Sequence, residues 1–86
     1  MKPTMTNYEH KKLMDIILHE LINRDCFLRL QIYRGKITLF SKEKIQIKLP
    51  SKTDCLFLQK SKLKMDILKL TIKDLFNIEP EIELIF

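Results

Sequence analysis

The scarcity of chain-breaking residues is the strongest constraint on the fold. The chain of 86 residues has a single glycine, Gly35, and three prolines, Pro3, Pro50 and Pro80. Glycine and proline commonly mark turns and the ends of helices and strands, so long uninterrupted elements are expected between these positions. A chain of this length forms one domain, here residues 1–86, and buries about two thirds of its unfolded surface.

The first element that the pattern predicts is an amphipathic helix beginning at Asn7. Thr6-Asn7-Tyr8-Glu9 matches the capping box, in which the threonine hydroxyl and the glutamate satisfy backbone groups at the helix start. At about 100° per residue the apolar side chains that follow lie on one arc. That arc contains Leu13, Met14, Ile17, Leu18, Leu21 and Ile22. His10 lies within the arc and His19 opposite, so the two histidines do not form a ligand pair.

Residues 26–33 are compatible with two structures. Leu28, Leu30 and Ile32 alternate with polar side chains, as in a strand, and the turn signal Arg34-Gly35 follows. The pattern therefore predicts the first strand of a β-hairpin. The alternative is a second short helix, because part of the segment also matches the helical period. The residues that match it are Cys26, Arg29, Leu30 and Tyr33.

Three further strands are predicted from alternation. Ile37 and Leu39 belong to the first of them, and a polar turn over residues 41–44 separates it from the next. That next strand is closed by Pro50, and its inward residues are Ile45, Ile47 and Leu49. The last strand covers residues 81–86, with Ile82, Leu84 and Phe86 on one side.

Residues 51–77 are predicted to be helical, as one long helix or as two helices with a break near Ser61. Ser51-Lys52-Thr53-Asp54 is a second capping signature, and Asn77 and Pro80 end the helical region. One apolar face contains Phe57, Leu58, Met65, Leu68, Ile72, Leu75 and Phe76. A second apolar stripe, about 120° away, contains Leu56, Leu63, Ile67 and Leu70. The second stripe needs its own neighbour, either the first helix or another molecule.

Together these elements predict an α+β two-layer sandwich with the order α-β-β-β-α-β. The sheet is expected to be small and mainly antiparallel, with the helices on one of its faces.

No catalytic, metal or cofactor motif is found in the sequence, so no enzyme is predicted. Cys26 and Cys55 are isolated and are expected to be small buried residues in a reducing compartment, with a disulfide between them left open. No apolar run approaches the roughly 18 residues of a membrane span. The protein is therefore expected to be cytoplasmic, with no cofactor and no membrane partner.

Basic residues are concentrated in the middle of the chain. Between Arg29 and Lys64 there are ten basic and two acidic residues, a net charge of +8, whereas the total is +5. Basic side chains next to aromatic ones on strands are typical of surfaces that bind single-stranded DNA or RNA. The residues predicted to form such a surface are Arg29, Tyr33, Arg34, Lys36 and Lys48.

The chain from Lys44 onward resembles the KH-like first domain of the bacterial chromosomal replication initiator, a fold that parts of the clamp-loader tau subunit also resemble. The shared pattern is strand, proline, helix, strand, over about half the chain. The matching positions are Ile45, Ile47, Leu49-Pro50-Ser51, Phe57, Leu63, Ile67, Ile82 and Leu84. The first half departs, because the family's aromatic positions after the first helix are not matched. The resemblance implies self-association or docking of replication proteins, and Phe57 is carried over only as a packing residue.

The predicted function is that of a small non-enzymatic protein-interaction module in DNA replication or a mobile-element system. Its partner is expected to be another protein, or a second copy in a dimer, docked on the stripe that contains Leu63 and Ile67. The alternative function is a basic protein that binds single-stranded nucleic acid.

Overall fold

The computed structural model describes residues 7–86. The elements in chain order are helices α1 (Asn7–Arg24) and α2 (Cys26–Ile32), strands β1 (Lys36–Phe40) and β2 (Lys44–Lys48), helices α3 (Lys52–Lys60) and α4 (Lys62–Phe76), and strand β3 (Glu81–Ile85). The predicted α+β class is confirmed. Helix α1 is described from Asn7 onward, and Thr6 of the predicted capping box lies outside the described residues, so the predicted start of this helix stays a prediction.

Residues 26–32 form helix α2, so the predicted strand at this position is wrong and its helical alternative is correct. Asp25 has extended backbone angles and caps the helix, accepting a hydrogen bond from the Leu28 N–H at 3.0 Å. Leu28 and Ile32 are buried against the core, whereas Leu30 is exposed. Leu28 and Ile32 are four residues apart and share a face in both a helix and a strand. Among these three residues, only the position of Leu30 therefore distinguishes a helix from a strand.

The three strands form one mixed sheet in the order β1-β2-β3. β1 and β2 are antiparallel, but β2 and β3 are parallel, so the prediction of a mainly antiparallel sheet is wrong for the second pair. Helices α3 and α4 supply the long crossover that a parallel pair requires. The inward side chains of the sheet are buried under the helices: Ile37, Ile45, Ile47, Ile82 and Leu84. The outward side chains are mostly polar, so the helices cover one face, as predicted.

A β-bulge in β1 changes which side chains of that strand enter the core. The register shifts between Ile37 and Leu39, and Leu39 is exposed although simple alternation predicts it to be buried. Phe40 packs against the core instead. Its ring meets that of Phe76 edge to face, with 5.2 Å between the ring centres.

Helices α3 and α4 are separate, which was one of the two predicted alternatives. Ser61 has extended backbone angles and ends α3, while its hydroxyl caps α4 by accepting from the Lys64 N–H at 3.3 Å. Asn77 adopts the left-handed conformation, with φ of 56°, and ends α4 as predicted. The phase of the helical region is therefore interrupted at Ser61.

The core lies between the inner face of the sheet and the helices, and α1 contributes Met14, Ile17, Leu18 and Leu21 to it. Ile22 was predicted to belong to the same arc but is half exposed. Both cysteines are free. Cys55 is buried as predicted, and burial raises the pKa of its thiol. Cys26 is exposed, so the prediction of burial is wrong for that residue.

Gly35 is required by close packing where α2 turns into β1. A Cβ atom at this position would lie 2.8 Å from Leu49 Cδ2 and 3.0 Å from the Ile32 carbonyl oxygen. We expect Gly35→Ala to lower the free energy of unfolding by about 1–3 kcal/mol, since overpacking outweighs the entropy that alanine removes from the unfolded chain. Urea unfolding measures this, with Lys36→Ala as the exposed neighbouring control. A stabilised Gly35→Ala variant would show that the turn relaxes freely.

Candidate binding surfaces

Helices α2 and α3 border an open, largely apolar depression of about 430 Å³, here called the α2–α3 concavity. It is lined by Phe27, Leu30, Gln31, Asp54, Phe57 and Lys64. Phe27 is 71% exposed, Leu30 63% and Phe57 55%. Single exposed apolar residues are ordinary on protein surfaces, but adjacent large ones are typical of interaction sites.

An ion pair fixes one wall of this concavity. Lys64 Nζ lies 2.6 Å from Asp25 Oδ2, and both side chains are mostly buried. The same ammonium group lies 6.0 Å from the centre of the Phe27 ring. The hydrogen bond from Lys64 is the largest effect on the pKa of Asp25 and lowers it, against the opposing effect of burial. Asp25 therefore joins the start of α2 to the first turn of α4 and positions Phe27.

Three of the four predicted interface residues lie together on α4 and are called the α4 stripe: Leu63, Ile67 and Leu70. Leu63 is 70% exposed and Leu70 55%, while Ile67 packs partly against the core. Ile67 follows Lys64 by three positions, so it is its neighbour on the helix surface. Because Lys64 lines the α2–α3 concavity, the α4 stripe adjoins that concavity.

Leu56, the fourth predicted interface residue, points elsewhere. It lies on α3 directly before Phe57, and successive residues of an α-helix project about 100° apart. Phe57 lines the concavity, so Leu56 is directed away from it. The predicted stripe assumed one helical period from Leu56 to Leu63. The break at Ser61 separates α3 from α4, so the two residues do not share a face. Phe57 itself was predicted to pack in the core and is exposed instead.

Two lining residues of the concavity were not among the predicted binding residues: Leu30 was predicted to lie on the buried side of a strand, and Phe27 was left open between the core and an exposed stacking surface. The signal that would have found them is the helical alternative for residues 26–33. In a helix whose buried face carries Leu28 and Ile32, Phe27 and Leu30 fall outside that face.

The surface formed by α2, α3 and α4 is basic. These helices contain seven basic and three acidic residues, a net charge of +4. The basic residues are Arg29, Lys52, Lys60, Lys62, Lys64, Lys69 and Lys73, and the acidic residues are Asp54, Asp66 and Asp74.

A second depression, of about 720 Å³, lies between α1 and β1 and is called the α1–β1 groove. Three residues predicted to bind nucleic acid line it: Tyr33, Arg34 and Lys36. The fourth, Lys48, is paired with Lys36 across β1 and β2. The fifth, Arg29, lies with its guanidinium carbon 5.5 Å from the centre of the Tyr33 ring. The structure therefore brings all five residues into one continuous region.

The open face of the sheet is less basic than predicted. Glu83 on β3 forms an ion pair with Lys44, with 2.9 Å between Oε2 and Nζ, and accepts a hydrogen bond from Gln46 at 2.5 Å. Gln46 accepts in turn from the Thr38 hydroxyl at 2.8 Å. The pairing raises the pKa of Lys44 and lowers that of Glu83. The Glu83 carboxylate on β3 thus neutralises the positive charge of Lys44 on this face of the sheet.

Within residues 7–86, no three His, Cys, Asp or Glu side chains come close enough together to bind a metal ion. His10 lines the α1–β1 groove, and His19 is exposed on α1. The same part of the chain contains no helix with the length and apolar character needed to cross a membrane.

Comparisons with protein-family models, curated proteins and solved structures find no match for this chain. The resemblance of its second half to the replication-initiator domain therefore stays a prediction.

Proposed function

We propose that the protein is a non-enzymatic protein-interaction module that binds an acidic amphipathic helix of a partner protein. The binding surface is the α2–α3 concavity extended by the α4 stripe. The observation that carries the proposal is the exposure of Phe27, Leu30 and Phe57 around one depression. A partner among replication proteins is what the sequence resemblance implies, but the chemistry of the surface does not depend on it.

The apolar side chains supply the energy of binding. Complete burial of one large apolar side chain contributes about 1.5–3 kcal/mol, so several partly exposed ones together support a stable contact. Aromatic residues in desolvated pockets are common hot spots at interfaces. An apolar surface between helices suits a helical ligand, whose apolar residues recur at three, four and seven positions.

The charge of the surface determines the kind of partner. Helices α2, α3 and α4 carry a net charge of +4 in total. Lys64 at the concavity is paired with Asp25, so the exposed cations Lys60, Lys62 and Lys69 on α3 and α4, which form no ion pair within residues 7–86, supply the positive charge. Acidic residues beside the apolar positions of a ligand helix would be attracted, since complementary potentials favour association. A second copy of this chain would bring the same positive charge to the interface. The proposed occupant is therefore a different, acidic protein segment.

The test uses a synthetic amphipathic peptide of about 20 residues with leucine at the recurring apolar positions and glutamate between them. Binding is measured by fluorescence anisotropy, with the site located from NMR chemical-shift changes. We expect Phe27→Ala and Phe57→Ala each to weaken binding by about 30-fold, the size of a hot-spot substitution. The control is Phe86→Ala, because Phe86 is as exposed as Phe57 (55%) and does not line the concavity.

Three outcomes of this experiment would contradict the proposal. The first is that a peptide with lysine in place of glutamate binds equally well. The second is that the peptide shifts residues outside the concavity and the α4 stripe. The third is that light scattering shows a dimer that Leu63→Glu dissociates, which would make a second copy the occupant. Because Leu63 is 70% exposed, Leu63→Glu should stay folded, with a change in stability within about 0.5 kcal/mol.

A further inference from the structure

The α1–β1 groove carries a set of cations that form no ion pair with another described residue. Within residues 7–86, the ion pairs of the structure do not involve Lys11, Arg34, Lys36 or Lys48. The first three line the groove, where Asp15 is the single acidic lining residue. Lys48 extends the positive charge onto β2. The groove and its rim therefore attract an anionic ligand.

Two of these cations face each other directly. Lys36 and Lys48 are opposite partners in the antiparallel pair of β1 and β2, and both are exposed. Like charges at opposite positions destabilise a sheet. A phosphate group placed between the two ammonium groups would remove this repulsion. The pair is thus better suited to a bound anion than to the unliganded protein.

An aromatic ring, that of Tyr33, lies beside the cations and is contacted by the guanidinium group of Arg29. Tyr33 is 54% exposed and lines the groove. Arg29 precedes it by four positions and stacks on its ring at 5.5 Å. The Arg29 Nε atom is buried and has no hydrogen-bond partner among the described residues. Arg29 therefore supports the Tyr33 ring and is not among the residues that line the groove.

We infer that the α1–β1 groove binds a short stretch of single-stranded nucleic acid, with one base stacked on Tyr33. The phosphates on either side of that base contact Arg34, Lys36, Lys48 and Lys11. An exposed ring flanked by unpaired cations is the combination that single-strand binding surfaces use. A double helix keeps its bases stacked on one another and leaves the Tyr33 ring unused. This site lies apart from the α2–α3 concavity and does not rest on the function proposed above.

The salt dependence of binding gives the first test. Each phosphate contact to a single strand contributes about −0.7 to the slope of log K against log salt concentration, so four cations predict a slope of about −3. The ligand is a labelled oligothymidylate of about 12 nucleotides, titrated between about 50 and 200 mM salt. The triple variant Arg34→Gln, Lys36→Gln, Lys48→Gln should reduce the slope to about −1.

The control triple variant Lys60→Gln, Lys62→Gln, Lys69→Gln removes the same total charge from exposed positions on α3 and α4. It should keep the slope of the parent protein. Equal weakening by both triple variants would show a diffuse electrostatic attraction and overturn the proposal. All six residues are exposed, and circular dichroism confirms that the variants are folded.

The stacking contact gives the second test. Tyr33→Ala should weaken binding of oligothymidylate and oligouridylate by about 5- to 100-fold, whereas Tyr33→Phe should retain it. Binding of inorganic polyphosphate, which has no bases, should not respond to Tyr33→Ala. A duplex of the same length should bind more weakly than either single strand. Absence of an effect of Tyr33→Ala, or a duplex preference, would overturn the proposal. The peptide binding proposed above should be unchanged by Tyr33→Ala, so the two proposals fail separately.

Discussion

Ile47→Ala is expected to lower the free energy of unfolding by about 3–4 kcal/mol, the usual cost of truncating a buried isoleucine. Ile47 is completely buried on the central strand and lies opposite Ile37 on β1 and Leu84 on β3. Its removal leaves a cavity that both neighbouring strands line. A chain of this length has a total stability of about 4–13 kcal/mol, so a large fraction of the stability is lost. Urea unfolding followed by circular dichroism measures the change.

Lys48→Ala is the matched control for Ile47→Ala. Lys48 is the next residue on the same strand and is exposed on the opposite face, so its truncation leaves the core unchanged. We expect Lys48→Ala to change stability by no more than about 0.5 kcal/mol. Similar losses in the two variants would indicate that core packing of Ile47 does not account for the loss of stability.

Asp25→Ala is expected to cost about 2–3 kcal/mol, because it removes two interactions at once. The variant loses the cap of α2, which accepts from the Leu28 N–H and is worth about 1 kcal/mol. It also leaves Lys64, a mostly buried cation, without its carboxylate partner at 2.6 Å. Helix α2 should fray first, which hydrogen exchange of its backbone amides would detect.

Asp25→Asn separates the two interactions, since asparagine caps helices about as well as aspartate but carries no charge. Lys64 lowers the pKa of Asp25 in the folded protein. The stabilisation from the ionised carboxylate is therefore complete above the unfolded-state pKa of about 3.9 and is lost as pH falls through the lower folded-state pKa. The stability difference between the parent protein and Asp25→Asn should be largest near neutral pH and vanish in acid. A difference that persists in acid would exclude the ion pair as its cause.

Helix α2 connects the two proposed binding surfaces. Phe27 and Leu30 line the concavity with α3, whereas Arg29 and Tyr33 lie on the other flank, beside α1 and β1. If residues 26–33 formed a strand, Leu30 would lie on the buried face with Leu28 and Ile32 and would not line the concavity. Variants at Asp25 that loosen α2 are therefore expected to weaken binding at both surfaces.

The local sequence determined most of the elements. Three helix ends depend on interactions within a few residues: the caps at Ser51 and Ser61 and the end of α4 at Asn77. Interactions between residues close in the chain also form the predicted basic cluster. A tight turn and the pairing of β1 with β2 bring together Tyr33, Arg34, Lys36 and Lys48.

Three features were decided only by the tertiary structure. They are the helical conformation of residues 26–32, the choice of which β1 side chains enter the core, and the parallel pairing of β3 with β2. The first depends on Lys64, 39 positions further along the chain, which binds Asp25 and holds the start of α2. The second depends on a bulge that turns Phe40 toward Phe76. These choices rest on contacts between residues distant in the chain. Local periodicity contains no information about such contacts, because Leu28 and Ile32, four positions apart, share one face in a helix and in a strand.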